Sequence, residues 1–366
     1  MMITMANLFD GCEYWQGKTK PSESMFDLSA SKDLNAEVEK IFRFYRAGGY
    51  PSYSCTDYNI RKEYDKLKKF NEMSIFDGKN IKQSMTGLGV LWVYHPHWIE
   101  VVCANEKQSL KELWENDDKL RELIRKTYLW KLKHGEMRWT HNRIRQNAKV
   151  FMAKQSVSNF RPTVAKLIYN IYGNNGDVLD MSAGFSGRLF GFFASNCNSY
   201  TGIEPSEKTY QGLLKMAKDL QEIDAFGLFP RSRSVNVYKT GSEIYNPAWD
   251  KTFDLCFTSP PYFDTERYSD ECTQSYKKYP TLQLWLNGFL KQTIDNCWKY
   301  TKPLGYTIIN IADTPKYKGL EKSTVDFAKQ SGFAHVDTLN MEMSAISKTE
   351  GRKTEPIFIF KKEEQK

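Results

Sequence analysis

The chain has 366 residues, 40% hydrophobic and 14% aromatic, enough apolar mass for two packed cores. With 52 Lys and Arg against 44 Asp and Glu it carries a formal charge of +8, which favours a polyanionic partner without identifying one. No apolar run reaches the ~18 residues that span a bilayer, and Met1–Asp10 lacks both the basic region and the apolar stretch of a secretory leader. The expectation is a cytoplasmic protein with no membrane partner. Its 7 cysteines (Cys12, Cys55, Cys103, Cys197, Cys256, Cys272 and Cys297) stand singly with no CxxC pair, so reduced, structural thiols and no zinc site are expected.

Residues 1–30 read as irregular. Leu34–Tyr45 reads as an amphipathic helix that stops at Gly48-Gly49-Tyr50-Pro51, and Ile60–Phe70 as a second helix. A strand pair is expected over Gly87–Cys103, where His95-Pro96-His97 is the only close histidine pair. A hydrogen-bonded strand or turn suits that pair better than a metal. Helices are expected over Lys107–Lys154. Within them, from Arg125 to Lys149, eight basic residues surround a single acid, Glu136, and the aromatics Tyr128, Trp130 and Trp139 are interleaved. Such a helix neutralises phosphates and stacks on an exposed base; the alternative is a solvated helix with a buried aromatic face.

From about residue 150 strands and helices alternate. Asp177–Asp180 is a short strand, followed by a turn carrying Ser182, Gly184 and Gly187 and then an apolar helix. Glycine there lets backbone approach a ligand and allows positive φ. Tyr200–Ile203 is a second strand ending in Glu204, an acid ~20 residues beyond the glycine turn and so placed for ribose hydroxyls. A third strand, Ser234–Tyr238, ends ahead of Gly241-Ser242-Glu243, where Ser242 is placed near an adenine edge. The fourth strand, Phe253–Phe257, runs into Thr258-Ser259-Pro260-Pro261-Tyr262. Two prolines make this turn rigid and leave its carbonyls without competing N–H groups. Ser259 adds an acceptor, and Tyr262 a face on which a planar base stacks.

These residues resemble the S-adenosylmethionine-dependent DNA amino-methyltransferases, which methylate cytosine N4 or adenine N6, and are similar in look to methylases often encoded by phages or found in restriction-modification systems. The family's cofactor motif falls on Asp180–Gly187, with Asp180, Ser182, Gly184 and Gly187 as cofactor-binding residues, and its ribose acid on Glu204. Its (Asp/Asn/Ser)-Pro-Pro-(Tyr/Phe/Trp) tetrapeptide falls on Ser259, Pro260, Pro261 and Tyr262 as catalytic residues. A Phe-bearing turn that helps hold the methionine part of the cofactor looks like Ser158–Thr163, with Phe160, Pro162 and Thr163. The resemblance covers roughly 150–366. Ser186 departs from it, standing where many relatives have a second closely spaced glycine. Ser259 in place of Asp or Asn leans toward cytosine N4 and leaves adenine N6 open. Cytosine C5 chemistry is excluded, because it needs a Pro-Cys after the fourth strand and Cys256 lies inside that strand.

The resemblance implies S-adenosyl-L-methionine as cofactor, no metal, and DNA as partner, a duplex from which the target base is flipped. It also implies a bacterial or phage-infected host cell. Asp264–Pro280 reads as a loop over the site, its acids Asp264 and Glu266 touching base or cofactor or else solvated. Leu282–Tyr300 is a helix, Gly305–Ala312 the fifth strand and Leu320–Gln330 another helix, before an antiparallel hairpin over Ala334–Met343 and Pro356–Lys361. The fold class is therefore α/β: a doubly wound, seven-stranded Rossmann-like methyltransferase sheet over 151–366, after a mainly helical N-terminal region. With no room left in the catalytic part, target recognition is expected from 1–150. An RNA amino-methyltransferase and a non-catalytic DNA-binding protein of the same fold are the alternatives.

Overall fold

In the computed structural model the apolar runs of the second half lie side by side as strands. The structure describes residues 33–55, 59–103, 106–152, 157–226, 233–343 and 354–364. The expected irregularity of residues 1–30 lies outside them. The described residues form two compact units: those up to Ile60 with Pro96–Ser158, and Arg61–His95 with Asn159 onward.

The larger unit holds an eight-stranded sheet. In chain order its strands are β1 (Asn80–Ile81), β2 (Asp177–Asp180), β3 (Ser199–Ile203), β4 (Ser234–Tyr238), β5 (Phe253–Thr258), β6 (Thr301–Asn310), β7 (Phe333–Glu342) and β8 (Thr354–Lys362). Their spatial order is β1-β7-β8-β6-β5-β2-β3-β4. The run from β4 to β6 is parallel, and β8 lies antiparallel between β6 and β7. This is the doubly wound α/β arrangement and terminal hairpin read from the sequence. The strand count is corrected from seven to eight, because Asn80–Ile81 adds a parallel edge on β7. Two residues carry no period, so the sequence does not announce them.

The central strands are buried on both faces. Val178, Leu179, Leu255, Cys256 and Phe257 have no exposed surface, which is why these segments read as continuous apolar runs rather than alternating ones. Two helices, α7 (Pro162–Tyr172) and α8 (Gly187–Phe193), supply rings to one face, with Tyr169 5.6 Å from Phe257 and Phe192 5.3 Å from Tyr200. On the other, Ile294 and Cys297 of α10 (Gln292–Tyr300) and Leu320 and Ala328 of α11 (Leu320–Ser331) pack with Leu179, Cys256 and Ile309. The helix read as Leu282–Tyr300 reaches α10 through a π-helical turn at Leu286–Lys291. A further helix, α9 (Glu207–Ala225), follows β3.

Two expectations for the first half are corrected. Gly87–Cys103 is not a strand pair: Leu88–Tyr94 is a helix, α3, entered through Gly87 at φ 78°. Leu88, Val90, Leu91, Trp92 and Tyr94 are all buried, so the segment offers no polar face by which its period could be read. Nor does the chain divide once near residue 150. Arg61–His95 belongs with the larger unit, because α2 (Ile60–Lys69) is tied into it: the Tyr64 hydroxyl lies 2.8 Å from both the Phe193 carbonyl and Asp224 Oδ1. Lys166 in α7 returns hydrogen bonds to the carbonyls of Leu67, Lys68 and Phe70.

The smaller unit is helical, as expected, with α1 (Leu34–Gly48), α4 (Leu110–Glu115), α5 (Asp117–Lys133) and α6 (His141–Phe151). The basic segment is two helices with a break between them, and most of its charge is used internally. Lys131, 2% exposed, pairs with Glu136, and Arg143 pairs with Glu136 while lying over Trp130. Arg145 is buried against the carbonyls of Pro51 and Ser52, and Trp139 is buried, donating to the Tyr45 hydroxyl at 3.0 Å. Lys133 and Arg138 remain exposed. The buried aromatic face is therefore the reading that holds for this segment.

Candidate active site

The C-terminal ends of β2, β3 and β5 bring the expected residues to one edge of the sheet. Glycine geometry organises the first of these ends. Gly184 takes φ +55°, and a Cβ placed there would meet only the Ser182 carbonyl, at 3.7 Å. That corner is open to an approaching ligand. Gly187 is glycine for a different reason: a Cβ there would sit 2.1 Å from the Phe160 carbonyl oxygen. It packs the turn against the 159–161 segment. Ser186, between them, is fully buried at φ +65°, a left-handed conformation that a non-glycine residue holds at a cost of about 1–2 kcal/mol. His95 braces it, with Nε2 2.6 Å from Ser186 Oγ. Asn159 donates to the Phe185 carbonyl at 2.6 Å from the other side.

Asp180 is wholly buried and fully engaged. It accepts from Arg188 Nε at 2.8 Å, from the Tyr200 hydroxyl at 2.9 Å and from the Ser182 N–H at 3.2 Å. Arg188 also donates to the Ser182 carbonyl. Asp180 thus shapes the turn.

Glu204 follows β3 and joins it to the glycine turn. Its carboxylate accepts from the Gly184 N–H at 3.1 Å and the Ser206 N–H at 2.9 Å. Burial pushes this carboxyl up to about 7, opposed by those two N–H groups and reinforced by the charges of Asp180 and Glu271. Each carboxylate oxygen keeps lone-pair capacity for a further donor. A vicinal diol fits here: an acid beside a backbone corner with no side chain in the way. Phe160, Pro162 and Thr163 line up ahead of this turn. Phe160 packs on Phe257 at 5.4 Å, Pro162 opens α7, and Thr163 is fully buried with its Oγ1 lacking a hydrogen-bond partner. Ser242 follows β4. Its hydroxyl is 2.8 Å from Thr293 Oγ1 on α10, and its carbonyl accepts from Asn296.

The end of β5 carries the second half of the site. Thr258 is buried with an unpartnered Oγ1. Ser259, half-buried, donates to Asn310 Oδ1 at 3.3 Å, and Asn310 in turn donates from Nδ2 to the Pro356 carbonyl at 3.0 Å. Tyr262 is partly buried against the core beneath. Burial and the carboxylates of Glu355 and Glu266 hold its phenol well above the ordinary range, opposed by a hydrogen bond with Ser259. Phe263 then turns the chain at φ +55° and drops into the core, 5.9 Å from Trp285 and 5.2 Å from Tyr317.

The two loop acids differ. Asp264 is paired with Lys316 at 2.9 Å and accepts from the Tyr317 hydroxyl. Glu266 accepts from the Tyr268 hydroxyl, and burial with the Glu355 charge nearby pushes it up to about 7. Farther on, Glu271 accepts from Ser206 Oγ and from the Glu207 N–H, both at 3.1 Å, and Thr273 donates to the Pro205 carbonyl. The loop is thereby fastened to the turn after Glu204. Sequence reasoning missed His95, Glu271, Asn310 and Glu355. Only Asn310 carried a visible signal, a polar residue closing an apolar strand.

Among the described residues no group of three His, Cys, Asp or Glu is arranged to hold a metal, and no helix is long and apolar enough to cross a membrane. No family model matches the chain. No curated protein matches it. Solved structures to which part of it is similar include a SAM-dependent methyltransferase from Methanosarcina mazei, 14% identical over 54% of this chain and 98% of that one, with a TM-score of 0.36. The N-methyltransferase NodS from Bradyrhizobium japonicum is 13% identical over 56% of this chain and 93% of its own, with a TM-score of 0.36. A SAM-dependent O-methyltransferase from Thermotoga maritima is 13% identical over 60% and 71% respectively, with a TM-score of 0.35.

Proposed function

We propose that the protein methylates the exocyclic amine of a nucleobase in DNA, cytosine N4 ahead of adenine N6, with S-adenosylmethionine as the methyl donor. The observation that carries the reading is the juxtaposition of two half-sites on neighbouring strand ends: the Gly184–Glu204 corner on β2 and β3, and Ser259–Tyr262 on β5. When bound, the cofactor supplies an electrophilic methyl group on a sulfonium. Glu204 would accept from its ribose hydroxyls, and Gly184 would let the backbone come close. Asp180 acts by holding the turn between them.

Ser259 and the Pro260 carbonyl accept hydrogen bonds from the target amine, and the ring of Tyr262 supports the base. The bound cofactor would supply its methyl group to the amine nitrogen, sulfur keeping the electron pair of the carbon–sulfur bond, and one N–H proton would be lost. Glu266, whose charge acts on Tyr262, is an acceptor in the vicinity. Positioning and fixed dipoles carry the acceleration, without a covalent intermediate. Target recognition is assigned to the smaller unit, where Lys133 and Arg138 are exposed. Tyr262→Ala should lose methyl transfer to DNA yet bind cofactor in calorimetry as the parent does; a fully active Tyr262→Ala enzyme would refute the assignment.

A further inference from the structure

Residues 271–278 run across the ends of two strands. On the β3 side, Glu271 accepts from Ser206 Oγ and the Glu207 N–H, both at 3.1 Å, and Thr273 donates to the Pro205 carbonyl at 3.1 Å. On the β4 side, Lys278 pairs at 2.7 Å with Glu243, which is 7% exposed. One anchor adjoins Glu204 and the other lies in the turn after β4, so the chain joining them crosses the space between those strand ends. Gln274 stands within this crossing. Its backbone is already used: the N–H donates to the Glu271 carbonyl, and the carbonyl accepts from the Lys277 and Lys278 N–H groups. Ser275 beside it is tied to the buried Trp285, whose Nε1 donates to Ser275 Oγ at 3.0 Å. The Gln274 side chain is 6% exposed, and its Nε2 is buried with no hydrogen-bond partner among the described residues. An amide buried without a partner weighs against the fold, and a ligand atom that meets it removes the penalty.

We infer that Glu271–Lys278 is the outer wall of the cofactor pocket at its nucleoside end, and that the Gln274 amide hydrogen-bonds to the nucleoside. The inference rests on the proposed reading for the cofactor's place at Glu204. It goes beyond it in giving cofactor binding to an uncharged side chain of the segment after the Pro-Pro turn. A nucleoside suits an amide, because an adenine edge sets an acceptor beside a donor and so serves either end of a glutamine side chain.

The test uses the full chain and measures calorimetric binding of S-adenosylhomocysteine and of 5′-methylthioadenosine, which keeps the nucleoside and lacks the amino acid part, alongside denaturant melts without ligand. Gln274→Leu and Gln274→Met keep apolar bulk and remove the amide. Both ligands should bind about tenfold or more weakly, by a matching factor. The ligand-free midpoint should meanwhile stay at the parental value or rise, because the unbonded amide is gone. Two variants of different shape guard against one that fails to fold. Undiminished affinity in a folded variant, a loss confined to S-adenosylhomocysteine, or a loss that comes only with a lowered midpoint overturns the inference. The expected losses in a protein that transfers no methyl group to DNA would leave the inference standing and defeat the proposed function; transfer to DNA by a parent whose variants bind as tightly as it does would do the reverse.

Discussion

His95 Nε2 lies 2.6 Å from Ser186 Oγ, joining the end of α3 to the one residue of the glycine turn that holds a left-handed conformation without being glycine. The pair replaces a backbone freedom with a side-chain tether. Substitutions at Ser186 should separate the two effects. Ser186→Gly removes the left-handed cost but loses the tether, whereas Ser186→Ala loses the tether and keeps the cost. The expected order of unfolding free energies is parent, then Gly, then Ala, with the alanine variant down by about 1–3 kcal/mol. An alanine variant as stable as the glycine one would contradict this account of the turn.

The two glycines of the turn should fail in different ways. Gly187→Ala places a methyl against the Phe160 carbonyl, 2.1 Å from the built Cβ position, and should destabilise the fold by several kcal/mol, since backbone cannot move aside as a side chain end can. Gly184→Ala has space and pays about 1–2 kcal/mol for positive φ, so it should fold. Its loss should appear in cofactor affinity instead. Denaturant melts and calorimetry on both variants check the contrast.

The Asp180–Arg188 pair is buried at both ends, with N–O at 2.8 Å. Arg188→Met leaves an uncompensated buried carboxylate and should cost about 3–5 kcal/mol. The double variant with Asp180→Leu should recover part of that loss, measured by the same melts. A single variant near parental stability would show that the pair is not what holds the turn.

Glu204 links pH to both stability and binding. Its carboxyl is raised from 4.5 to about 7 in the fold. Below 4.5 the proton is bound in folded and unfolded chains alike, and the stability this group contributes is fully present. As pH rises from there to about 7 the unfolded chain releases its proton first, and that stability is progressively lost. Melting temperature should thus decline across this window, and Glu204→Gln should flatten the decline. Glu266, also raised to about 7, adds in the same sense. Cofactor affinity should run the opposite way, rising through pH 7 as Glu204 ionises into a pure acceptor, with Glu204→Gln showing no such rise in calorimetry.

How much of this was legible in the chain depends on range. The strand cores at Asp177–Asp180 and Phe253–Thr258, the glycine turn and the Pro-Pro turn are local, and their residue types state the backbone they need. The terminal hairpin was readable from its apolar alternation. What was not readable is pairing across distance: His95 with Ser186, Asn310 with Ser259, Glu271 with the start of α9. Each is a polar contact between segments of unrelated pattern. Apolar period also fails where burial is complete, as in Leu88–Tyr94, and composition overstates charge where Lys131 and Arg145 are turned inward. The contact of Ser242 with Thr293, 51 residues away, is of the same long-range kind.

The central claim is tested most directly by incubating the purified protein with S-adenosylmethionine labelled in the methyl group and unmodified duplex DNA, then digesting the DNA to nucleosides and identifying the labelled one by mass spectrometry. The account predicts label in N4-methyldeoxycytidine, or otherwise in N6-methyldeoxyadenosine, and its loss in Tyr262→Ala. Label in neither nucleoside while the cofactor binds, or label only in RNA supplied in parallel, would contradict it.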